Sequence, residues 1–116
     1  SQVPGFEEMA QKFYDEKGID EIWCTSVNDA FVMYQWAQHL GVKEVKMLPD
    51  GNADFAQELG MFVDKSNLGF GGRSWRYVLV VNDMFIEHFF AEEGMMNNCP
   101  NDPYVATTPE NVDNNI

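Results

Sequence analysis

Positive charge is in short supply in this chain. Seven Lys and Arg stand against nineteen Asp and Glu, a formal net charge of −12. A phosphate backbone would be repelled and little counterion release gained, which excludes nucleic acid as a partner. The same deficit argues against an anionic membrane surface. No apolar run approaches the ~20 residues that span a bilayer, and no basic, apolar, small-residue leader is recognisable. Cysteine is also scarce: Cys24 and Cys99 alone do not make a disulfide framework. A reducing setting, the cytoplasm or an organelle, is therefore expected. His39 and His88 show no metal-ligand spacing with those cysteines, so neither metal nor cofactor is expected.

Apolar and aromatic residues, by contrast, are plentiful. Hydrophobic residues make up 45% and aromatics 14% of 116 residues, enough for one packed domain over residues 1–116. The chain opens on Ser, and residues 112–116 read as an unfinished helix. Both ends are expected to be cut, leaving an incomplete domain.

Phe6, Met9, Ala10, Phe13 and Tyr14 recur at helical spacing up to a stop at Gly18. Residues 19–27 read as a buried strand. Asn28 or Asp29 caps a second helix that runs through Phe31, Met33, Tyr34 and Trp36 to Gly41. Residues 45–48 form a short strand closed by the turn Pro49-Asp50-Gly51-Asn52. Phe55, Ala56 and Leu59 form a short helix. Residues 75–81 and 84–90 flank Asn82-Asp83 as a hairpin. Residues 92–102 are polar and read as a surface loop, and Thr108-Pro109 starts a last helix. Strands alternating with helices predict a three-layer α/β/α domain with a mixed sheet.

Arg76 is the leading site residue. It follows Gly69-Phe70-Gly71-Gly72-Arg73-Ser74-Trp75 and precedes the apolar run Tyr77-Val78-Leu79-Val80-Val81. One reading is a loose surface ion pair. The other is an anion clamp, because the fixed donors of a guanidinium suit a thiolate, a peroxide oxygen or a carboxylate. Arg73 is the natural decoy and is expected to be the more exposed, in a Gly-rich loop. Cys24 lies in an apolar run and reads either as an inert buried thiol or as a resolving cysteine. Cys99, between Asn98 and Pro100, is expected to be exposed and oxidisable.

Three motifs fail on inspection. Asp50-Gly51-Asn52-Ala53-Asp54 opens like a calcium loop but continues with Phe55 where Gly is required. Gly69-Phe70-Gly71-Gly72 leads into a strand, not a phosphate-binding helix. No Ser/His/Asp triad is recognisable. Glu7, Glu8, Asp15, Glu16, Asp20 and Glu21 read as a solvated helix face and its flanks.

Pro4-Gly5-Phe6, Gly18 to Cys24, Ser26-Val27-Asn28-Asp29-Ala30-Phe31-Val32, Leu48 to Asn52, Leu68 to Gly71, and Arg73-Ser74-Trp75-Arg76-Tyr77 follow one another in order. Together they resemble the atypical type-two/type-five peroxiredoxins, which are thiol peroxidases. The resemblance implies a thioredoxin-like fold that begins one strand late. In that family a P-x-x-x-T-x-x-C motif carries the peroxidatic cysteine, and here it is expected just before Ser1. Arg76 matches the arginine that stabilises the thiolate and the transition state. Cys24 matches a second cysteine found in some type-two members. The implied substrates are hydrogen peroxide and alkyl hydroperoxides. The implied reductant is glutaredoxin, thioredoxin or glutathione, and a homodimer is the family-level assembly.

Several features depart from the family. Met84 stands where the hairpin usually has Gly, and the loop through Met95, Met96 and Cys99 is expanded. Without the peroxidatic cysteine and the central strand before it, the chain alone is expected to be inactive and to fold poorly. The competing reading is a non-catalytic thioredoxin-like interaction or dimerisation module using Phe31, Trp36, Phe70 and Trp75. A weaker one makes Cys24 or Cys99 a redox sensor.

Overall fold

The first apolar period becomes a helix, α1 (Gln2–Lys17), in the computed structural model of the chain, which describes residues 2–116. Ser1 lies outside the described residues. Val3, Ala10 and Phe13 are buried, and the Phe6 and Phe13 rings stack at 5.7 Å. Gly18 ends the helix at φ 67°. The Ile19 amide then donates back to the Phe13 carbonyl at 3.3 Å, which satisfies one of the last helical carbonyls.

Strand β1 (Ile22–Ser26), helix α2 (Ala30–Leu40) and strand β2 (Val45–Pro49) form a parallel unit, in register from Ile22↔Val45 to Ser26↔Pro49. Parallel strands need such a crossover connection. Asp29, not Asn28, caps α2 by accepting from the Val32 amide at 2.8 Å. Strand β1 is shorter and more open than its apolar sequence suggests, and Trp23 is 52% exposed. Its indole N–H donates to Glu21 while Lys46 pairs with the same carboxylate and lies over the ring.

Asp50 starts helix α3 (Asp54–Glu58) by accepting from the Phe55 and Ala56 amides, each at 3.0 Å. The carboxylate that imitates a calcium ligand is therefore spent on backbone. A second antiparallel pair follows, β3 (Phe62–Asp64) with β4 (Gly72–Ser74), around a 3-10 turn at Ser66–Leu68. This pair is missing from the sequence reading because segments this short carry no readable period. A Cβ at Gly72 would meet the far end of the exposed Phe62 ring, which would have to swing aside.

The hairpin is β5 (Tyr77–Asn82) with β6 (Phe85–Ala91). Its turn sits one residue later than Asn82-Asp83, at Asp83-Met84, with φ 50° and 68°. Two positive φ angles match the twist of a two-residue hairpin. The register shifts between Val80 and Val81, a bulge that bends the ribbon. Helix α4 (Pro109–Asn114) is capped by Thr108, whose hydroxyl accepts from Asn111.

The mixed sheet thus takes the form of three two-stranded pieces, one parallel and two antiparallel. Helices tie them together. Glu7 of α1 accepts from the amides of Lys43, Glu44 and Val45 at 2.9–3.1 Å, so it is a latch onto β2 and not part of a solvated face. Lys12 of α1 meets the buried Asp113 of α4 at 2.6 Å. A small core of Val63, Trp75 and Cys99 closes the far corner, with Met61 against it. No helix among the described residues is long and apolar enough to cross a membrane.

Candidate functional site

A cleft of about 1610 Å³ runs along β1 and β5 and reaches the first turns of α1 at Gln2, Val3 and Phe6. Strand β1 pairs only with β2, and β5 only with β6. Each therefore keeps one edge free of sheet pairing among the described residues.

Arg76 lines this cleft from the link between β4 and β5, directly after the buried Trp75. Its Nη1 donates to the Pro103 carbonyl at 2.8 Å. The Asp102 carboxylate lies 3.1 Å from Nη1 and 3.4 Å from Nη2, and the Tyr104 ring covers the guanidinium at 5.2 Å. The side chain is 30% exposed. Arg76 is neither free in solvent nor sealed, and it already holds a carboxylate.

Arg73 behaves differently, and the expectation of an exposed loop residue is corrected. It stands in β4 and is half-buried, as Arg76 is. Its Nη1 donates to the Val27 carbonyl at 2.6 Å and to Asn28 Oδ1 at 3.3 Å, and its Nε to the Phe70 carbonyl at 3.1 Å. All three acceptors are neutral oxygens, so Arg73 staples β4 to the end of β1 and has no anion to hold.

The cysteines separate as well. Cys24 sits in β1 opposite Met47 and lines the cleft. Burial pushes its thiol up to about 11, so the thiolate is strongly disfavoured. Tyr77 beside it is pushed up to about 12, by burial first and then by the charges of Asp50 and Cys24. Cys99 contradicts the expectation of an exposed, oxidisable thiol: it is buried against Val63 and Trp75. The polar loop folds inward because its side chains bond β3. Asn97 accepts from the Asp64 amide at 2.8 Å, and the Asn98 amide donates to the Asp64 carbonyl at 2.7 Å. No group of three or more His, Cys, Asp or Glu among the described residues is placed to hold a metal.

Glu92 is the residue that sequence reasoning missed. It begins the stretch read as a surface loop, yet it is 4% exposed. Its carboxylate accepts from the Thr107 amide at 2.7 Å, the Thr107 hydroxyl at 2.6 Å, and the Val105 and Ala106 amides at 2.8 and 3.2 Å. Burial alone would raise its pKa, but the Thr107 hydroxyl and the three amides outweigh that and hold it below 4.5. Its amide donates to the Arg76 carbonyl, and its carbonyl accepts from the Trp75 indole. Glu92 thereby fixes the turn whose neighbours Pro103 and Tyr104 hold the guanidinium. One acidic residue at the end of an apolar strand gives no sequence signal of this role.

The aromatic surface of the competing reading is only partly present. Phe31 is 84% and Phe70 56% exposed, but Trp75 is 4% exposed and belongs to the core.

Residues 1–103 match the family described as Redoxin. A peroxiredoxin of Sinorhizobium fredii is 50% identical over 111 residues, covering 96% of this chain and 58% of its own length. A peroxiredoxin solved by X-ray superposes with a TM-score of 0.95 at 35% identity, covering 97% of this chain and 66% of that one. Reduced Prx3 of Vibrio vulnificus, solved in complex with H2O2, has a TM-score of 0.84 at 31% identity over 97% of this chain and 67% of its own. The chain spans 58–62% of the length of curated bacterial relatives that it matches at 50–51% identity.

Proposed function

This chain belongs to the Redoxin family, with the thioredoxin-like α/β fold of its peroxiredoxin relatives, and on that premise we propose that it serves a thiol-dependent peroxidase. The substrates are hydrogen peroxide and alkyl hydroperoxides. One observation carries this: Arg76 presents a half-buried guanidinium to the cleft, where its ionic partner among the described residues is the exposed carboxylate of Asp102. The Vibrio relative bound to H2O2 supports the choice of substrate.

Neither cysteine of the chain suits the nucleophile. Cys24 carries a thiol pushed up to about 11, and Cys99 is buried in the corner. The peroxidatic cysteine is therefore assigned to polypeptide outside residues 1–116, entering the cleft near the start of α1. Its thiolate attacks one peroxide oxygen. The O–O bond breaks, sulfur is oxidised to a sulfenic acid, and the other oxygen leaves as water or an alcohol after taking a proton. Arg76 favours the thiolate and stabilises charge spreading along the S–O–O axis. A thiol reductant, glutaredoxin, thioredoxin or glutathione, then attacks the sulfenic sulfur. Water is released, and a second thiol completes the reduction. Cys24, which lines the same cleft, is the candidate resolving thiol, a slow one given a thiol pushed up to about 11. A homodimer would cover Phe31 and Phe70, and a cytoplasmic or organellar reducing setting suits the free thiols.

The test fuses a segment carrying Pro-x-x-x-Thr-x-x-Cys ahead of Ser1 and follows peroxide consumption with a thiol reductant. Turnover is expected from the extended chain and none from residues 1–116. Arg76→Ala should lower turnover by about 10²–10³, the scale for losing one oxyanion donor. Turnover by residues 1–116 alone, or an extended chain indifferent to Arg76→Ala, would refute the assignment.

A further inference from the structure

We propose that Asp102 is an intramolecular competitor for the anion site of Arg76. This exposed carboxylate occupies the guanidinium edge until a reacting anion displaces it. The inference rests on the reading of Arg76 as an anion holder given above.

Three groups hold the guanidinium, and they are unlike. The Pro103 carbonyl takes one Nη1 proton at 2.8 Å, and the Tyr104 ring lies against the plane at 5.2 Å. Both stand beside the turn that Glu92 clamps through the Val105, Ala106 and Thr107 amides. They are fixtures. Asp102 is not. Its side chain is 84% exposed against 30% for Arg76, and it reaches the two nitrogens only at 3.1 and 3.4 Å. Among the described residues its carboxylate bonds nothing else.

The consequence is physical. A carboxylate spanning Nη1 and Nη2 takes the paired donors that any incoming thiolate or peroxide oxygen would use. An ion pair with one partner largely in water is weak, so Asp102 rotates out while Pro103 and Tyr104 keep the guanidinium in place. Asp102 thus sets how tightly Arg76 binds an anion without setting where Arg76 is.

The experiment labels with nitrogen-15 the arginines of the extended chain described above, its motif cysteine changed to serine so that no thiolate competes, and titrates inorganic phosphate at pH 7. It follows the Arg76 side-chain Nε signal, assigned with Arg76→Lys. The phosphate midpoint in Asp102→Asn should be about two- to fivefold lower than in the parent, the range that a weak exposed pair allows. Asp102→Glu should behave as the parent, and so should Asp83→Asn, which removes one charge at the distant hairpin turn. Equal midpoints in the parent and Asp102→Asn would overturn the competition while leaving Arg76 an anion holder. An equal tightening in Asp83→Asn would overturn it too, by tracing the effect to net charge. No phosphate response in any variant would overturn both the competition and the anion site.

Discussion

Around Trp75 the chain leaves little unfinished. The indole bonds the Glu92 carbonyl at 2.7 Å, the Glu92 carboxylate takes four donors, and Val63 and Cys99 fill the space between. Along the cleft the bonding is incomplete. Strands β1 and β5 each pair on one side, the Thr25 hydroxyl is buried without a partner among the described residues, and Arg76 leans on an exposed carboxylate. Polar groups are satisfied around Trp75, and along the cleft some are not. The cleft is also where the chain's one anion-holding arginine and its high-pKa thiol both lie.

The largest expected contrast is in thiol reactivity. With a pKa of about 11, Cys24 should be alkylated at pH 8 about two orders of magnitude more slowly than an ordinary thiol, and rise tenfold per pH unit. Cys99, closed inside the corner, should instead follow opening of the fold and accelerate with mild denaturant. If both cysteines showed one shared pH profile, the corner and the cleft would not differ as described.

Next in size is Trp75→Ala, expected to cost about 3–5 kcal/mol in urea unfolding, the usual range for emptying a large buried aromatic site. Cys24→Ala on the cleft wall should cost less than about 1.5 kcal/mol, since few atoms are removed from a half-open site. Equal losses would erase the distinction.

Glu92→Gln keeps the shape but removes the charge from four hydrogen bonds, and should cost about 1.5–3 kcal/mol. Its sign with pH is fixed by the lowered pKa. The stability contributed by Glu92 is present above the unfolded carboxylate value of 4.5 and lost as pH falls through the lower folded value. Glu7 behaves alike. Burial alone raises its pKa, but the Val45, Glu44 and Lys43 amides and the Lys43 charge bring it down. Acid titration of unfolding should therefore be shallower in Glu92→Gln than in the parent; an unchanged slope would remove Glu92 from the account.

The smallest contrast separates the two arginines. Arg73→Ala breaks charge-assisted bonds to two backbone carbonyls and one amide oxygen, at about 1.5–3 kcal/mol. Arg76→Ala should cost less, about 1–2 kcal/mol, because it gives up one charge-assisted carbonyl bond, at Pro103, and the Tyr104 contact, while its ionic partner is 84% exposed and adds little. A reversed order would make Arg76 the staple and Arg73 the candidate for chemistry.

Much of this frame was legible beforehand because it is local. Asp29 and Thr108 cap helices as their residue types suggest, Gly18 and Gly41 close them, and a parallel β1–β2 pair follows from strand, helix, strand. Strands β3 and β4 escaped because three-residue segments have no period to read. Cys99 was misplaced because polar composition implies a surface loop, whereas Asn97 and Asn98 spend their polarity on β3. The same blindness hid Glu92, whose four donors lie thirteen to fifteen residues away in the chain.

By itself the sequence determined the order of the longer elements, the caps, the hairpin and the run around Arg76 that places the chain in its family, because each depends on neighbours within a few residues. Only the tertiary structure decided which arginine meets an anion, which cysteine is sealed, and that a lone glutamate organises the turn beside the cleft. Those outcomes depend on donors and acceptors that meet across long stretches of chain. Their pairing is set by which groups must be satisfied once buried, and no local pattern encodes it.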